Sequence, residues 1–234
     1  MLENQTNQYI MEIMRTYSSI QGVTLVLGKW ITFEGIGGSG KSTQVELVYN
    51  WLIQKNFSVI NTLEPGGTDF GKDIRKMVKQ TRDPKLNPFT ELMLFQADRH
   101  ETIKQLVQPG LHRGEIVISD RGPFGTIAYQ GFGRGISLDL IDKLTIEATE
   151  DSKPHLTVLL DIDPRIAQKR INERLDEEHD QFDLEELEFQ ENVRNGFIYA
   201  SKKNKSEQVF IIDGSQSKEE IHEQITKLFD EFII

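Results

Sequence analysis

The residues from Gly35 to Ser42 fit the spacing G-x-x-x-x-G-K-[ST], and no other feature constrains the fold of this chain as strongly. Such glycines let backbone N–H groups turn towards a bound phosphate, the lysine reaches the outer phosphates, and the hydroxyl can ligate Mg²⁺. An apolar segment, 29–34, precedes the loop, and an amphipathic helical pattern, 42–55, follows it. Strand, loop and helix in this order predict a phosphate-binding loop.

The same glycines also fit the dinucleotide fingerprint G-x-G-x-x-G, but the Lys-Ser pair that follows favours a nucleoside triphosphate. Lys41 is expected to be partly solvated, to hold the β- and γ-phosphates and to be catalytic. We expect the following residues to contact ATP: Gly35, Ile36, Gly37, Gly38, Ser39, Gly40, Lys41, Ser42 and Thr43.

Apolar segments alternate with helical patterns along the rest of the chain. Strands are predicted at 30–34, 58–63, 115–119, 156–160 and 208–212, and helices at 42–55, 71–80, 88–107, 137–149, 164–174, 184–203 and 217–232. This alternation predicts an α/β fold in which helices flank a five-stranded parallel sheet. Polar or glycine-rich residues follow each strand, so the candidate site lies at the carboxyl edge of the sheet.

Composition limits the partners of the 234-residue chain. The net charge is −10, which disfavours bulk attraction to nucleic acid or to an anionic membrane, so positive charge for a nucleotide must be local. The chain has no cysteine, which suits a reducing cytoplasm. No apolar run is long enough to span a bilayer. Residues 1–28 are interpreted as a disordered or loosely docked N-terminal extension, or as a start site assigned too early, and 29–234 as one domain.

Asp120 and Arg121 follow the third predicted strand. A carboxylate in this position can organise Mg²⁺ together with Ser42, and the neighbouring cation can stabilise a transferring phosphoryl group. The alternative is an Asp–Arg pair that only caps a turn.

Two further groups could contact a nucleoside. Phe95 and Arg99 are four residues apart on one predicted helix, and they could stack on a base and hydrogen-bond it. The alternative, favoured by the pattern alone, is a core phenylalanine with an arginine that reaches from it to solvent. Tyr129 and Gln130 lie in a glycine-rich stretch and could contact a sugar and a base edge, or belong to an ordinary flexible loop.

Arg170 and Arg174 end a helix before the acidic segment 175–183. That segment is interpreted as a mobile lid whose closure brings cations onto the phosphates, or else as a solvated charged loop.

Six motifs, in order and spacing, resemble those of the bacterial thymidylate kinase family. They are Phe33-Glu-Gly with Gly40-Lys-Ser-Thr43, Glu64-Pro-Gly-Gly-Thr68, Leu94-Phe-Gln-Ala-Asp-Arg99, Asp120-Arg121, Ala128-Tyr-Gln-Gly131 and Gly133-Arg-Gly135. The resemblance runs from residue 29 to the C-terminus. It implies a phosphate-loop NTPase fold that transfers the γ-phosphoryl group of ATP to dTMP, with Mg²⁺, in the cytoplasm, as a homodimer and without nucleic acid.

The resemblance also implies roles for single residues. Phe95 would stack on thymine and Arg99 would hydrogen-bond it. Arg75 and Arg121 would grip the dTMP phosphate. Tyr129 would disfavour a 2′-hydroxyl, Thr126 and Gln130 would line the base pocket, and Arg170 would close over ATP with the lid. The catalytic set would be Lys41, Arg121, Arg170 and Arg174.

Five positions depart from the family pattern: Gly37, Leu63, Gly122, Gly125 and Gln181. In the family, position 37 is often acidic, and position 181 is commonly an arginine of the lid. We therefore expect Gln181 to face the nucleotide and a Gln181→Arg change to raise turnover or leave it unchanged. The departures keep two alternatives open: another phosphate-loop nucleotide or deoxynucleoside kinase, or a catalytically weak nucleotide-binding protein.

Overall fold

A computed structural model describes residues 28–173, 180–203 and 208–233. Its five strands form one parallel sheet in the order β2-β3-β1-β4-β5. The strands are β1 (Lys29–Glu34), β2 (Val59–Leu63), β3 (Ile116–Asp120), β4 (Leu156–Asp161) and β5 (Gln208–Asp213). The predicted α/β fold is confirmed, and β1, which leads into the phosphate loop, lies at the centre of the sheet.

Helices cover both faces of the sheet. They are α1 (Lys41–Gln54), α2 (Asp69–Lys79), α3 (Pro88–Thr102), α4 (Gln108–His112), α5 (Pro123–Thr126), α6 (Leu138–Thr149), α7 (Pro164–Asn172), α8 (Leu187–Lys203) and α9 (Lys218–Phe232). Wider π-helical turns, Ile103–Val107 and Ile127–Gly133, continue α3 into α4 and extend α5. None of the described helices is long and apolar enough to cross a membrane.

The core forms on both sides of the sheet because consecutive strand residues point to opposite faces. On one face, Ile31 and Phe33 of β1 pack in a cluster with Val48 and with Phe229 of α9. On the other face, Trp30 packs with Ile103 and Val107. Burial on both faces explains why the strands are almost continuously apolar.

The glycine-rich sequence around Tyr129 left a flexible loop as one alternative. The segment Pro123–Gly133 is helical instead. Ala128 and Gln130 are buried in it. It packs closely against α8, where a Cβ at Gly196 would lie 2.6 Å from the Cα of Ala128. The absence of a side chain at Gly196 therefore lets α8 pack closely against this segment.

Three parts of the sequence interpretation lie outside the described residues: the N-terminal extension up to residue 27, Arg174, and residues 175–179 of the expected lid. Gly28 is described and buried, and a Cβ there would lie 2.6 Å from the Cα of Leu111. Gly28 thus packs against the domain, and the boundary at residue 29 stays a prediction.

Candidate active site

The phosphate loop joins β1 to α1 and turns through glycines with left-handed backbone, Gly38 (φ 75°) and Gly40 (φ 94°). Lys41 Nζ donates to the carbonyl oxygen of Ile36 at 2.8 Å and to Ser39 Oγ at 3.4 Å. Lys41 is only 6% exposed, so the expectation of a partly solvated lysine is wrong. The loop itself holds the ammonium group where the phosphates are expected.

The two residues predicted to hold a metal lie together. The hydroxyl of Ser42 donates to Asp120 Oδ2 at 2.5 Å, across the gap between α1 and the end of β3. Hydroxyl and carboxylate oxygens are hard ligands that suit Mg²⁺, which usually takes only one or two protein ligands plus water and phosphate oxygens. The described residues contain no cluster of three or more acidic, histidine or cysteine side chains that could cage a metal. The donor set therefore fits Mg²⁺ held jointly with a nucleotide.

One cavity of about 390 Å³ extends from the phosphate loop to helices α2, α3 and α5. It brings together most of the predicted site residues, from motifs far apart in sequence. The predicted residues that line it are Gly37, Gly38, Gly40, Lys41, Ser42, Thr43, Arg75, Phe95, Arg99, Asp120, Arg121, Thr126, Tyr129 and Gln130. Gly35, Ile36 and Ser39 lie in the loop behind this lining, and Ile36 and Ser39 are buried.

Positive charge is concentrated at the centre of the cavity. The Arg121 guanidinium lies 4.8 Å from the ring centroid of Tyr129, and its Nη2 donates to the Tyr129 hydroxyl at 3.3 Å. Burial alone would lower the pKa of Arg121, but Tyr129 and Asp120 outweigh it and raise that pKa. Arg75 Nη1 donates to the Pro65 carbonyl at 2.8 Å, and burial together with Arg121 lowers the pKa of Arg75. Two close guanidiniums that repel each other make a site for an anion.

Three buried carboxylates lie close to arginines of the site, and the sequence interpretation assigned no role to any of them. Burial raises the pKa of Glu34 to about 8 and that of Asp98 to about 7, and it also raises the pKa of Glu64. Each has one buried oxygen without a hydrogen-bond partner: Glu34 Oε2, Glu64 Oε1 and Asp98 Oδ2. The sequence signal that could have identified such a residue is an acidic side chain at the end of an apolar strand, as Glu34 is after Phe33.

Arg99 lies deeper than either sequence interpretation placed it, because it is only 2% exposed. Its guanidinium donates to Glu64 Oε2 at 2.8 Å, Thr126 Oγ1 at 2.8 Å and the Gly122 carbonyl at 3.0 Å. The idea that Arg99 reaches out to solvent is therefore wrong. Arg99 ties α3 to β2 and α5, and its contact with a base stays a prediction.

An aromatic pocket forms one end of the cavity. The ring of Phe182 lies with its centroid 6.1 Å from that of Phe95 and 5.6 Å from that of Tyr129. Gln130 is buried beside them, and its Nε2 donates to Glu91 Oε1 at 2.8 Å. Phe182 was missed by the sequence interpretation because it belongs to the acidic segment assigned to the lid.

The described end of that segment packs on the protein body. Gln181 is 3% exposed, its backbone N–H donates to the Lys79 carbonyl at 3.2 Å, and its side chain donates to the Val78 carbonyl. The expectation that Gln181 faces the nucleotide is therefore wrong, because it fastens the segment to the end of α2. A Cβ at position 37 would lie 3.2 Å from Asp183 Oδ1, so Gly37 leaves room for this carboxylate at the phosphate loop.

Arg170 does not line the cavity. Its Nη1 donates to the Gly214 carbonyl at 2.7 Å and its Nη2 to the Ser215 carbonyl at 3.1 Å. The loop it holds adjoins the phosphate loop, since a Cβ at Gly214 would lie 3.3 Å from the Ser39 carbonyl oxygen.

Comparison with known proteins agrees with this geometry. The sequence profile of the thymidylate kinase family matches residues 33–225. The chain belongs to the thymidylate kinase family. A thymidylate kinase of Kosmotoga olearia is 39% identical over 200 residues, covering 86% of this chain and 94% of that protein. One from a Sulfurihydrogenibium species is 41% identical over 199 residues, covering 85% and 95%.

A solved structure gives the same answer for the fold. The crystal structure of thymidylate kinase from Ehrlichia chaffeensis superposes with a TM-score of 0.70 at 32% identity, covering 86% of this chain and 98% of that one. The resemblance of the six motifs to thymidylate kinases and the phosphate-loop NTPase fold are thus confirmed. As a member of this family the chain is a phosphotransferase.

Proposed function

We propose that this thymidylate kinase family member transfers the γ-phosphoryl group of ATP to dTMP, giving ADP and dTDP. The observation that carries the proposal is one cavity lined by the phosphate loop, by the aromatic residues Phe95, Tyr129 and Phe182, and by Arg75 and Arg121. A phosphate donor at one end and a nucleoside at the other would meet at these arginines.

In the proposed reaction, an oxygen of the dTMP phosphate forms a bond to the γ-phosphorus while the bond to the β–γ bridging oxygen breaks. Such a transfer depends on positioning and on stabilising charge over the phosphoryl oxygens. Lys41 would hold the β- and γ-phosphates, and Arg75 and Arg121 would hold the dTMP phosphate. Arg121 needs no protonation step, because its raised pKa keeps it charged throughout the usable pH range.

Ser42 and Asp120 would hold Mg²⁺ with the phosphates. When bound, the ion would neutralise charge on the β- and γ-phosphate oxygens. The Ser42–Asp120 hydrogen bond already places the two oxygens within reach of one ion.

Nucleoside selection would come from the aromatic pocket. Phe95 would stack on thymine, with Thr126, Gln130 and Arg99 at its polar edge. Tyr129 is 6% exposed and in contact with Arg121, so its ring would fill the space that a 2′-hydroxyl needs.

We further propose the roles that the resemblance implies beyond the cavity. Arg170 and Arg174 would assist phosphoryl transfer when the lid closes. For Arg170 this requires it to leave the carbonyls of Gly214 and Ser215, or to act through the loop it holds. The homodimer, the absence of nucleic acid as a partner and the cytoplasmic location also stay predictions.

The test is ADP release in a coupled assay with ATP and dTMP, dUMP, dCMP or AMP as acceptor. The proposal expects dTMP to be preferred and added EDTA to stop turnover. Preference for another acceptor would favour a different nucleotide kinase. Binding of ATP and dTMP without ADP release would favour a catalytically weak nucleotide-binding protein, the alternative that the five departures from the family pattern left open.

Lys41→Ala tests the donor end of the site. We expect kcat to fall by about 10²–10³-fold or more, because a preorganised cation that stabilises the transferring group is lost. Lys41 is buried, so the melting temperature must be compared with that of the unchanged protein. A folded Lys41→Ala protein with near-normal turnover would remove the phosphate loop from the mechanism.

A further inference from the structure

Behind the aromatic pocket, Gln130 belongs to a buried network whose other members, Glu91 and Arg134, have no predicted site role. Glu91 of α3 is 1% exposed, yet it accepts three hydrogen bonds. One comes from Gln130 Nε2 at 2.8 Å, and two come from Arg134, at 3.3 Å from Nε and 3.2 Å from Nη2. A buried carboxylate is costly unless it is paired, and Arg134 supplies the paired charge.

This pairing fixes the orientation of the Gln130 side-chain amide, that is, the sides on which its Nε2 and Oε1 atoms lie. If the amide turned over, its oxygen would face the carboxylate of Glu91, and two acceptors would meet without a proton between them. Nε2 is therefore held on the Glu91 side. Gln130 lines the cavity, so the polar atom at its other end, Oε1, is an acceptor offered to a ligand.

Arg134 extends the network to the segment that follows the lid. Its Nη1 donates to Glu185 Oε1 at 2.7 Å, and Glu185 also accepts from Lys85 at 2.9 Å. The Arg134 guanidinium lies 4.6 Å from the ring centroid of Phe189 and 5.8 Å from that of Phe182. The side chain that supports Glu91 thus also supports Phe182, which covers the pocket.

We propose that Glu91 and Arg134 are positioning residues that set the base selectivity of the acceptor site, by fixing the direction of the Gln130 amide and by holding Phe182 over it. An acceptor at Oε1 suits a pyrimidine whose ring nitrogen carries a proton, as N3 of thymine and uracil does. In cytosine the same nitrogen is an acceptor, so it would meet Oε1 unpaired. This inference rests on the proposed acceptor site, and it adds residues that do not touch the substrate.

Glu91→Gln tests the amide direction. The variant keeps the shape of residue 91 but removes the charge, so the Gln130 amide can adopt both orientations. We expect the ratio of kcat/KM for dTMP to that for dCMP to fall about tenfold, mainly through a higher KM for dTMP, because charge-assisted hydrogen bonds are the stronger ones. KM for ATP should stay within about twofold.

Arg134→Lys and Arg134→Met test the support. Arg134→Met should lose selectivity as Glu91→Gln does, and Arg134→Lys should restore part of it by keeping a charge beside Glu91. Lys85→Met is the matched control, because it removes another partner of Glu185 without touching Glu91, and it should keep normal selectivity.

If Glu91 and Arg134 only stabilise the fold, the kinetic result is different. In that case the variants would lose kcat equally for every acceptor, in proportion to their loss of melting temperature, and the selectivity ratio would stay constant. That outcome would overturn the inference. If a variant is too unstable for kinetics, the thermal shift caused by dTMP relative to dCMP at low temperature measures the same ratio, and an unchanged ratio counts against the inference. Absence of dTMP turnover in the unchanged protein would instead contradict the proposed function.

Discussion

Glu34 shows how a single residue under the phosphate site can shape stability. It is fully buried at the end of β1, and burial raises its pKa to about 8 against the opposing charges of Arg121 and Arg99. An unfolded glutamate ionises near pH 4.5, so between pH 4.5 and 8 the folded state binds the extra proton. Stability is therefore highest below this window and falls as pH rises through it, by up to about 1.4 kcal/mol per pH unit for this group.

Glu34→Gln removes that titration. We expect the melting temperature of the variant to fall less between pH 6 and 8.5 than that of the unchanged protein, as followed by thermal unfolding in buffers of equal ionic strength. Asp98, with a pKa of about 7, and Glu64 are present in both proteins, so the difference between the two curves reports Glu34 together with its repulsion of Glu64. Parallel curves would mean that Glu34 is ionised in the folded protein.

Gly125 offers a second test of the same group. Glu34 Oε2 is buried without a partner, and a Cβ at position 125 would lie 3.7 Å from it, in ordinary van der Waals contact. We expect Gly125→Ser to raise the free energy of unfolding at pH 8 by about 1 kcal/mol. The serine hydroxyl can donate to this oxygen, and serine lowers the conformational entropy of the unfolded chain relative to glycine. The melting temperature measures this.

Gly125→Ala is the control, because alanine changes the backbone entropy without adding a donor. Equal gains for serine and alanine would assign the whole effect to the backbone. Position 122 does not offer the same opportunity, since a Cβ there would lie 2.7 Å from Thr32 Cγ2.

At the scale of elements, the described residues just before α8, 180–186, are held by contacts of Asp180 and Gln181 with α2. Asp180 pairs with Lys79 at 2.7 Å, and the Gln181 side chain donates to the Val78 carbonyl. We expect Gln181→Arg to lower stability by about 1–3 kcal/mol, because a buried amide with a fixed partner is replaced by a larger charge. Turnover should not rise, whereas the sequence alone led us to expect a rise or no change.

Glu186→Arg, an exposed change in the same segment, should leave both the melting temperature and turnover nearly unchanged. Thermal unfolding and the coupled ADP assay measure both variants. A Gln181→Arg protein of normal stability and higher turnover would show that residue 181 can reach the nucleotide after all.

The elements also show what the sequence can and cannot predict. The strands and most helices were predicted to within a few residues, because apolar runs and the 3.6-residue period are local signals. The helical segment Pro123–Gly133 was not, since Gly125, Gly131 and Gly133 are poor helix formers in isolation. Gly133 is required by tertiary packing, as a Cβ there would lie 2.7 Å from the Phe189 ring.

The residues of the candidate site also differ in whether the sequence alone can predict their position. Lys41, Ser42 and Arg121 could be predicted because each belongs to a local motif with a defined spacing. Glu91 and Phe182 could not, because their roles depend on contacts with Gln130 and Tyr129, which lie about 40 to 50 residues away in sequence. No periodicity or spacing encodes such partners.

At the scale of the whole molecule, the outer sides of α2 and α3 expose apolar residues on helices whose inner sides line the site. Phe70 and Met77 of α2 are 52% and 42% exposed, and Phe89 and Met93 of α3 are 50% and 44% exposed. Phe70 and Met77 are seven residues apart, and Phe89 and Met93 four apart, so each pair shares one helical face. We propose that the predicted homodimer would bury these side chains, because exposed apolar faces on neighbouring helices suit an interface.

Met93→Glu tests whether this surface forms the dimer. We expect the variant to be monomeric at concentrations where the unchanged protein is dimeric, because each interface would bury two unpaired carboxylates related by symmetry. Light scattering after size-exclusion chromatography measures the mass. Ile53→Glu is the control, since Ile53 is 44% exposed but lies on α1, and this variant should stay dimeric.

Because α2 and α3 carry Arg75 and Phe95, loss of the dimer should also raise KM for dTMP more than KM for ATP. A Met93→Glu protein that stays dimeric would place the interface elsewhere, and a monomer with unchanged KM for dTMP would separate assembly from the acceptor site.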